Sequence, residues 1–170
     1  MNIKKLFEMQ RQLDEYIEQK HPRQEGEDRL AKKILAFQVE LGELANELPE
    51  VFKFWSNKKN KREKALEEFC DGLHFLLSVG LEITEPDMLD LKSWNLTKAD
   101  NITEQFLCLM ADVTDLYIGL YNDGDSKFYY EFLLLRFIQL GEMLGFTWDE
   151  IEEAYLRKNA VNHQRQESGY

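Results

Sequence analysis

The stretch "LAKKILAFQVELGELANEL", residues 30–48, decides how this chain is read. Leu30, Ile34, Phe37, Leu41, Leu44 and Leu48 recur at spacings of three and four, the period of one face of a helix. Glu40, Glu43 and Glu47 lie at the margin of that apolar stripe. A glutamate seldom enters a core unless it is paired or bound to a cation. The stretch therefore predicts an amphipathic helix over about 27–48, and it asks what three carboxylates do beside a buried face.

Working outward, the same periodicity fills most of the chain. Leu6, Met9, Leu13 and Ile17 predict a helix over 3–20, followed by a polar break at "HPRQEGED", 21–28. Pro49 weakens any continuation of the second helix, because it has no N–H and clashes with the preceding turn. "VFKFWSNKKNKRE", 51–63, is aromatic and then basic, and reads as an exposed flap or connection. A third helix is expected over about 62–82. "TEPDM", 84–88, has the cap and proline of a short helix start. Further helices follow at about 101–121 and 125–144, separated by "YNDGDS" with Gly124 as a stop. "TWDE", 147–150, fits a capping box that opens a last helix running to about 162, with a loose polar tail over 163–170. No run alternates apolar and polar residues between hairpin signals, so strands are not expected. The fold class is all-α, a helical bundle with a four-helix core in a single domain over 1–170.

The 170 residues carry a net charge of −11, with 44% hydrophobic and 12% aromatic residues. Such a chain can build a core, and its charge opposes non-specific contact with nucleic acid or an anionic membrane. No stretch approaches the roughly 20 apolar residues of a membrane span. "MNIKKLFEMQ" lacks the apolar run of a secretion signal. Cys70 and Cys108 both sit in apolar helical patterns, which favours reduced core thiols over a disulfide and a cytoplasmic setting.

The carboxylates acquire partners on the next helix. Glu40 and Glu43 form an E-x-x-E pair, and Glu68 and Asp71 form an E-x-x-D pair. Residues 44–67 suffice for the end of one helix, a flap and the start of an antiparallel partner. Face to face, the pairs bring four carboxylates together. Two carboxylates about 5 Å apart repel by about 3 kcal/mol at an effective dielectric near 20. Such a cluster either raises its pKa values or holds cations. Its ligands are all oxygen, which suits Mg²⁺ or Mn²⁺. Two such ions could generate a hydroxide and stabilise a phosphoryl transition state. The competing reading is a solvated helix face of ordinary surface glutamates. A di-iron bundle fits less well, since only "DGLH", 71–74, approaches the Glu-x-x-His it needs. His74 stands one turn after Asp71, either as a support for a carboxylate or as a half-buried histidine with a hydrogen bond.

The C-terminal stretch "YLRKNAVNHQRQESGY", 155–170, is basic in an acidic chain. Lys158, Asn162 and Arg165 share a face if the helix continues, and Asn159, Gln166 and Tyr170 add donors. That face suits phosphate oxygens. It equally suits a helix end with favourable cations and a polar tail.

Taken together, "EMQRQLDE" (8–15), "ELGELANE" (40–47) with "FKFWS" (52–56), "EEFCDGLHF" (67–75) and the C-terminal K-N-x-x-N-x-x-R-Q-x-x-G-Y pattern resemble the dimeric, all-α dUTPase family. The resemblance implies Mg²⁺-dependent hydrolysis of dUTP to dUMP and pyrophosphate by a homodimer, with dUDP as a second substrate. It implies that Glu40, Glu43, Glu68 and Asp71 hold the metal, and that Glu40 or Glu43 helps activate water. Glu47 is placed in a supporting or water-mediated contact, with His74 beside the cluster. Gln10 would hydrogen-bond the uracil edge, Asp14 would lie next to it, and Phe75 and Trp55 would pack around the base. Lys158, Asn159, Asn162, Arg165, Gln166 and Tyr170 would grip phosphates, with Lys53 reaching in from the flap. A broader nucleoside triphosphate pyrophosphatase and a non-enzymatic helical interaction module are the alternatives. The sequence leaves a protein inhibitor open.

Overall fold

The computed structural model describes residues 3–122 and 125–169. Seven α-helices and no strand occur among them: α1 Ile3–Lys20, α2 Arg29–Glu47, α3 Pro49–Phe52, α4 Arg62–Ile83, α5 Ile102–Asn122, α6 Ser126–Met143 and α7 Trp148–Ser168. A 3₁₀ turn, Pro86–Met88, is the short element expected after Thr84. The Gly124 stop lies outside the described residues.

α4 is the axis of the molecule. Residues all round it are buried, including Ala65, Phe69, Leu73, Leu76 and Val79, as befits a helix enclosed by others. It packs most extensively on α2 and is also contacted by α1, α7 and α6, while α5 and α6 form a hairpin against α2 and α4. α1, α2, α4 and α7 make the four-helix group that carries the acidic and basic motifs. Phe69 stacks on Phe137 (4.3 Å between centroids), and Phe37 meets the same ring edge-on, so one aromatic cluster joins α2, α4 and α6.

Pro49 does not merely end α2; it takes the first position of α3, where its missing N–H costs nothing. The chain then turns back, and Lys61 N donates to Glu47 O (2.9 Å). This bond sets the register of the α2–α4 hairpin. Residues equally far from the pair lie level, so Glu40, seven before Glu47, faces Glu68, seven after Lys61. Buried polar side chains secure the long connection between α4 and α5. Glu131 accepts from Asp90 N (2.8 Å) and Trp94 Nε1 (3.0 Å), and Gln105 bridges Ala99 N to Arg136 O.

α7 departs from the sequence reading. Thr147 and Glu150 form the expected capping box, but the helix does not stop near 162 in a loose tail. It continues to Ser168 and ends at Gly169, whose φ of 75° is the left-handed cap conformation. Its last turns lack an apolar stripe and are held by polar partners instead. The His163 ring lies against Tyr16 (5.5 Å), and His21 Nε2 donates to Gln166 Oε1 (3.0 Å).

Close approach of α4 and α6 depends on Gly80. A Cβ there would fall on the hydroxyl and ring of Tyr130, a fully buried side chain that donates to Leu76 O (3.1 Å). Gly80→Ala should destabilise the fold by about 2 kcal/mol, the scale of overpacking in a filled core. Urea unfolding followed by circular dichroism measures this; an unchanged midpoint would show that Tyr130 can yield.

Candidate active site

The register of α2 against α4 assembles the acidic cluster. One oxygen each from Glu40, Glu68 and Asp71 lies within 4.8 Å of the others. Glu43, one turn along α2, is exposed and stands outside this trio, although its charge acts on Glu40, Glu68 and Asp71. Burial, followed by the charges of Asp71, Glu43 and Glu68, pushes Glu40 up to about 7. Glu68 rises through burial and the neighbouring Asp71 and Glu43 charges. Asp71 also rises, burial outweighing its hydrogen bond to Lys158. Three half-buried carboxylates whose pKa values climb together form an electrostatic deficit that a divalent cation relieves. Their all-oxygen donor set fits a hard ion such as Mg²⁺.

The trio opens at one end onto α7, where Lys158 Nζ donates to Asp71 Oδ2. At the other it meets a cavity of about 400 Å³, within the range for a small-molecule site. Glu40 and Asp71 belong to the cavity wall, as do Lys158, Asn162, Arg165 and Gln166 from α7. Leu13, Phe75, His74, Gln10 and Asp14 line the same cavity. The i, i+4 pair on α1 is joined directly: Gln10 Nε2 donates to Asp14 Oδ1 (2.7 Å). Asp14 also accepts from Ser78 Oγ and pairs with Lys33 (3.4 Å). Gln10 is buried, with Tyr155 O–H (2.8 Å) and His74 Nδ1 (2.8 Å) at its oxygen. Burial, reinforced by the Lys158 charge, pulls His74 down to about 3, so it is neutral.

Other residues singled out from the sequence lie apart from this wall. The Glu47 carboxylate pairs with Lys61 (2.8 Å) at the base of the hairpin. Lys53 donates to Asn46 Oδ1 (2.8 Å) and lies over Phe52. Trp55 is exposed and packs edge-on against Phe52 and Phe54, away from the cavity lining. Asn159 is buried, its Nδ2 without a partner, and it too is absent from the lining. Tyr170 lies outside the described residues. The sequence reading missed Lys33, Ser78 and Tyr155. Lys33 lies two turns before Glu40 on the same face and Tyr155 one turn before Lys158, so helical spacing could have marked both.

A cluster of carboxylates in one cavity with a polar-and-aromatic recess and cationic side chains is the arrangement that a hydrolase of phosphorylated ligands would need. The family model described as dUTPase matches residues 2–170, and the chain belongs to that family, in its all-α form. With the family comes the activity, dUTP diphosphatase, and a general dependence on divalent metal. No curated protein matches the chain at a significant level. No helix among the described residues is long and apolar enough to cross a membrane. Cys70 and Cys108 are both free thiols, and burial raises Cys70 to about 12.

Proposed function

We propose that dUTP lies along the cavity with its uracil at Gln10, Asp14 and Phe75 and its phosphates between the acidic cluster and α7. The observation that carries this reading is continuity. One cavity is lined at once by Gln10 and Phe75, by Glu40 and Asp71, and by Lys158, Asn162 and Arg165. Phe75 offers an aromatic wall, and the amide of Gln10 matches a pyrimidine edge. Lys158, Asn162 and Arg165 donate to phosphate oxygens, with Gln166 beside them and Tyr170 following in sequence. Asn159, Lys53 and Trp55 lie outside the cavity lining and are given no contact with the nucleotide.

Glu40, Glu68 and Asp71, extended by Glu43, would hold Mg²⁺, with Mn²⁺ able to replace it. When bound, the ion supplies charge to the phosphates and acidity to a water. A carboxylate of the Glu40–Glu43 pair accepts the proton of the attacking water. Water adds to one phosphorus of the α–β anhydride, the bridging P–O bond breaks with its electron pair on the departing oxygen, and dUTP gives dUMP and pyrophosphate. The same cleavage of dUDP gives dUMP and phosphate. Positioning and charge neutralisation carry most of such a reaction.

The whole chain acts as one domain and, in this reading, as a cytoplasmic homodimer. Leu35 and Val39 on α2 and Leu107, Tyr117, Ile118 and Tyr121 on α5 are exposed on two helices that contact each other. An apolar face of this kind suits association with a second copy.

Assays of dUTP, dCTP, dTTP and dATP with Mg²⁺ test the assignment. The dUTP reaction should exceed those of dCTP and dATP by about a hundredfold or more in kcat/KM, the discrimination expected of a hydrogen-bonding pocket, and that of dTTP only as far as the shape of the cavity excludes a 5-methyl group. Equal rates on all four would remove the uracil assignment and leave a general pyrophosphatase.

A further inference from the structure

We propose that Tyr155, His74 and Asp14 are positioning residues. They lock the Gln10 amide with an N–H toward the cavity, so that the site accepts a pyrimidine with a carbonyl beside a ring N–H. A pyrimidine with an amino group beside a bare ring nitrogen is rejected. This inference rests on the placement of the base at Gln10.

The polarity follows from what each atom can do. Asp14 is a carboxylate beside Lys33, and a carboxylate only accepts hydrogen bonds. Gln10 must therefore turn its NH₂ toward Asp14, as the 2.7 Å contact has it. Its oxygen then faces Tyr155 O–H and His74 Nδ1, both at 2.8 Å. A carbonyl oxygen has two lone pairs, and these two donors occupy both. His74 must carry its proton on Nδ1 to be one of them. Its Nε2 is consequently a bare acceptor, buried and without a partner. The His74 ring stacks on Tyr155 at 3.9 Å and 15°, which fixes it in place.

What remains for a ligand on this wall is one N–H of Gln10 beside the remaining lone pairs of Asp14. A donor beside acceptors complements C4=O and N3–H of uracil. Cytosine presents N4–H₂ to the Gln10 N–H and a bare N3 to lone pairs, so both positions repel. Thymine has the same hydrogen-bonding edge as uracil, and the lock cannot distinguish it. A 5-methyl group must be excluded by shape elsewhere in the cavity.

That asymmetry supplies the test. In Tyr155→Phe the ring remains and one of the two donors on Gln10 is lost. The dUTP-over-dCTP ratio of kcat/KM should fall about tenfold, the scale of one hydrogen bond. The dUTP-over-dTTP ratio should hold, with KM for dUTP rising more than kcat falls. An unchanged dCTP ratio, or a parallel fall in both ratios, would overturn the lock. Gln10→Met is the companion variant. If it leaves every ratio unchanged, the placement of the base itself fails and the lock fails with it. If Gln10→Met loses discrimination and Tyr155→Phe does not, only the lock fails. A measurement on the natural chain does not depend on either variant folding. Nitrogen-15 NMR of the labelled full-length protein near neutral pH should report His74 as the neutral Nδ1–H tautomer, and an Nε2–H tautomer would refute the proposal.

Discussion

Glu40→Gln should lose about a thousandfold in dUTP turnover, about 4 kcal/mol of transition-state stabilisation, while folding at least as well as the natural chain. The two effects have one cause. Glu40 is the most strongly shifted member of the trio, raised by burial and then by the charges of Asp71, Glu43 and Glu68. In the unfolded chain its proton leaves near the ordinary value of 4.5, and in the folded chain near 7. Between those values the folded state holds more protons, so stability falls as pH rises through that window and stays low above it. Glutamine has the same shape and no charge. In protein stripped of divalent ions, Glu40→Gln should therefore match the natural chain near pH 4 and exceed it above pH 7. Relief of about 1 kcal/mol would raise Tm by about 2–4 °C in a domain of this size. Adding Mg²⁺ should raise the natural Tm at pH 8 and raise the variant much less. Melting curves at the two pH values with single-turnover assays check all of this. Near-normal turnover would take Glu40 out of the chemistry.

The sequence made the helices legible because each is long and carries a regular apolar stripe. Helix α2 is the clearest case, its apolar positions repeating from Leu30 to Leu48. The acidic cluster was legible for the same reason, since two pairs at i, i+3 on successive antiparallel helices can hardly avoid each other. Glu43 was harder to place. Spacing puts it on the same side as Glu40, yet helical rotation leaves it outside the trio. The end of α7 was not legible. Nothing apolar recurs after Val161, and its holding contacts come from Tyr16 and His21, far away in sequence. The polar network around Gln10 was hidden for a related reason. Its members come from α1, α2, α4 and α7, and only the packed bundle brings them to one wall.

Lys158→Met should produce two changes of opposite sign. In the folded chain Lys158 is the ammonium that faces the acidic cluster, donating to Asp71 Oδ2 with both side chains mostly buried. It lines the same cavity as Arg165 and Asn162, where we propose that the phosphates of dUTP lie. Methionine keeps the apolar stem and its packing and removes the charge. Loss of a preorganised cationic donor on developing phosphoryl charge should lower kcat/KM by about two to three powers of ten. The nucleotide-free protein should respond the other way. Asp71 loses a competing cation, so the three carboxylates present their full charge to Mg²⁺ and bind it several-fold more tightly, a gain of about 1 kcal/mol. Calorimetric titration of both proteins with Mg²⁺ alone, beside steady-state assays with dUTP, separates these effects. A lysine with only a structural role would weaken both. One that touched phosphate and had no hold on Asp71 would lower activity and leave Mg²⁺ affinity unchanged. Tighter metal binding together with poorer catalysis is the result expected if Lys158 moves between the carboxylates of the free site and the phosphates of the occupied one.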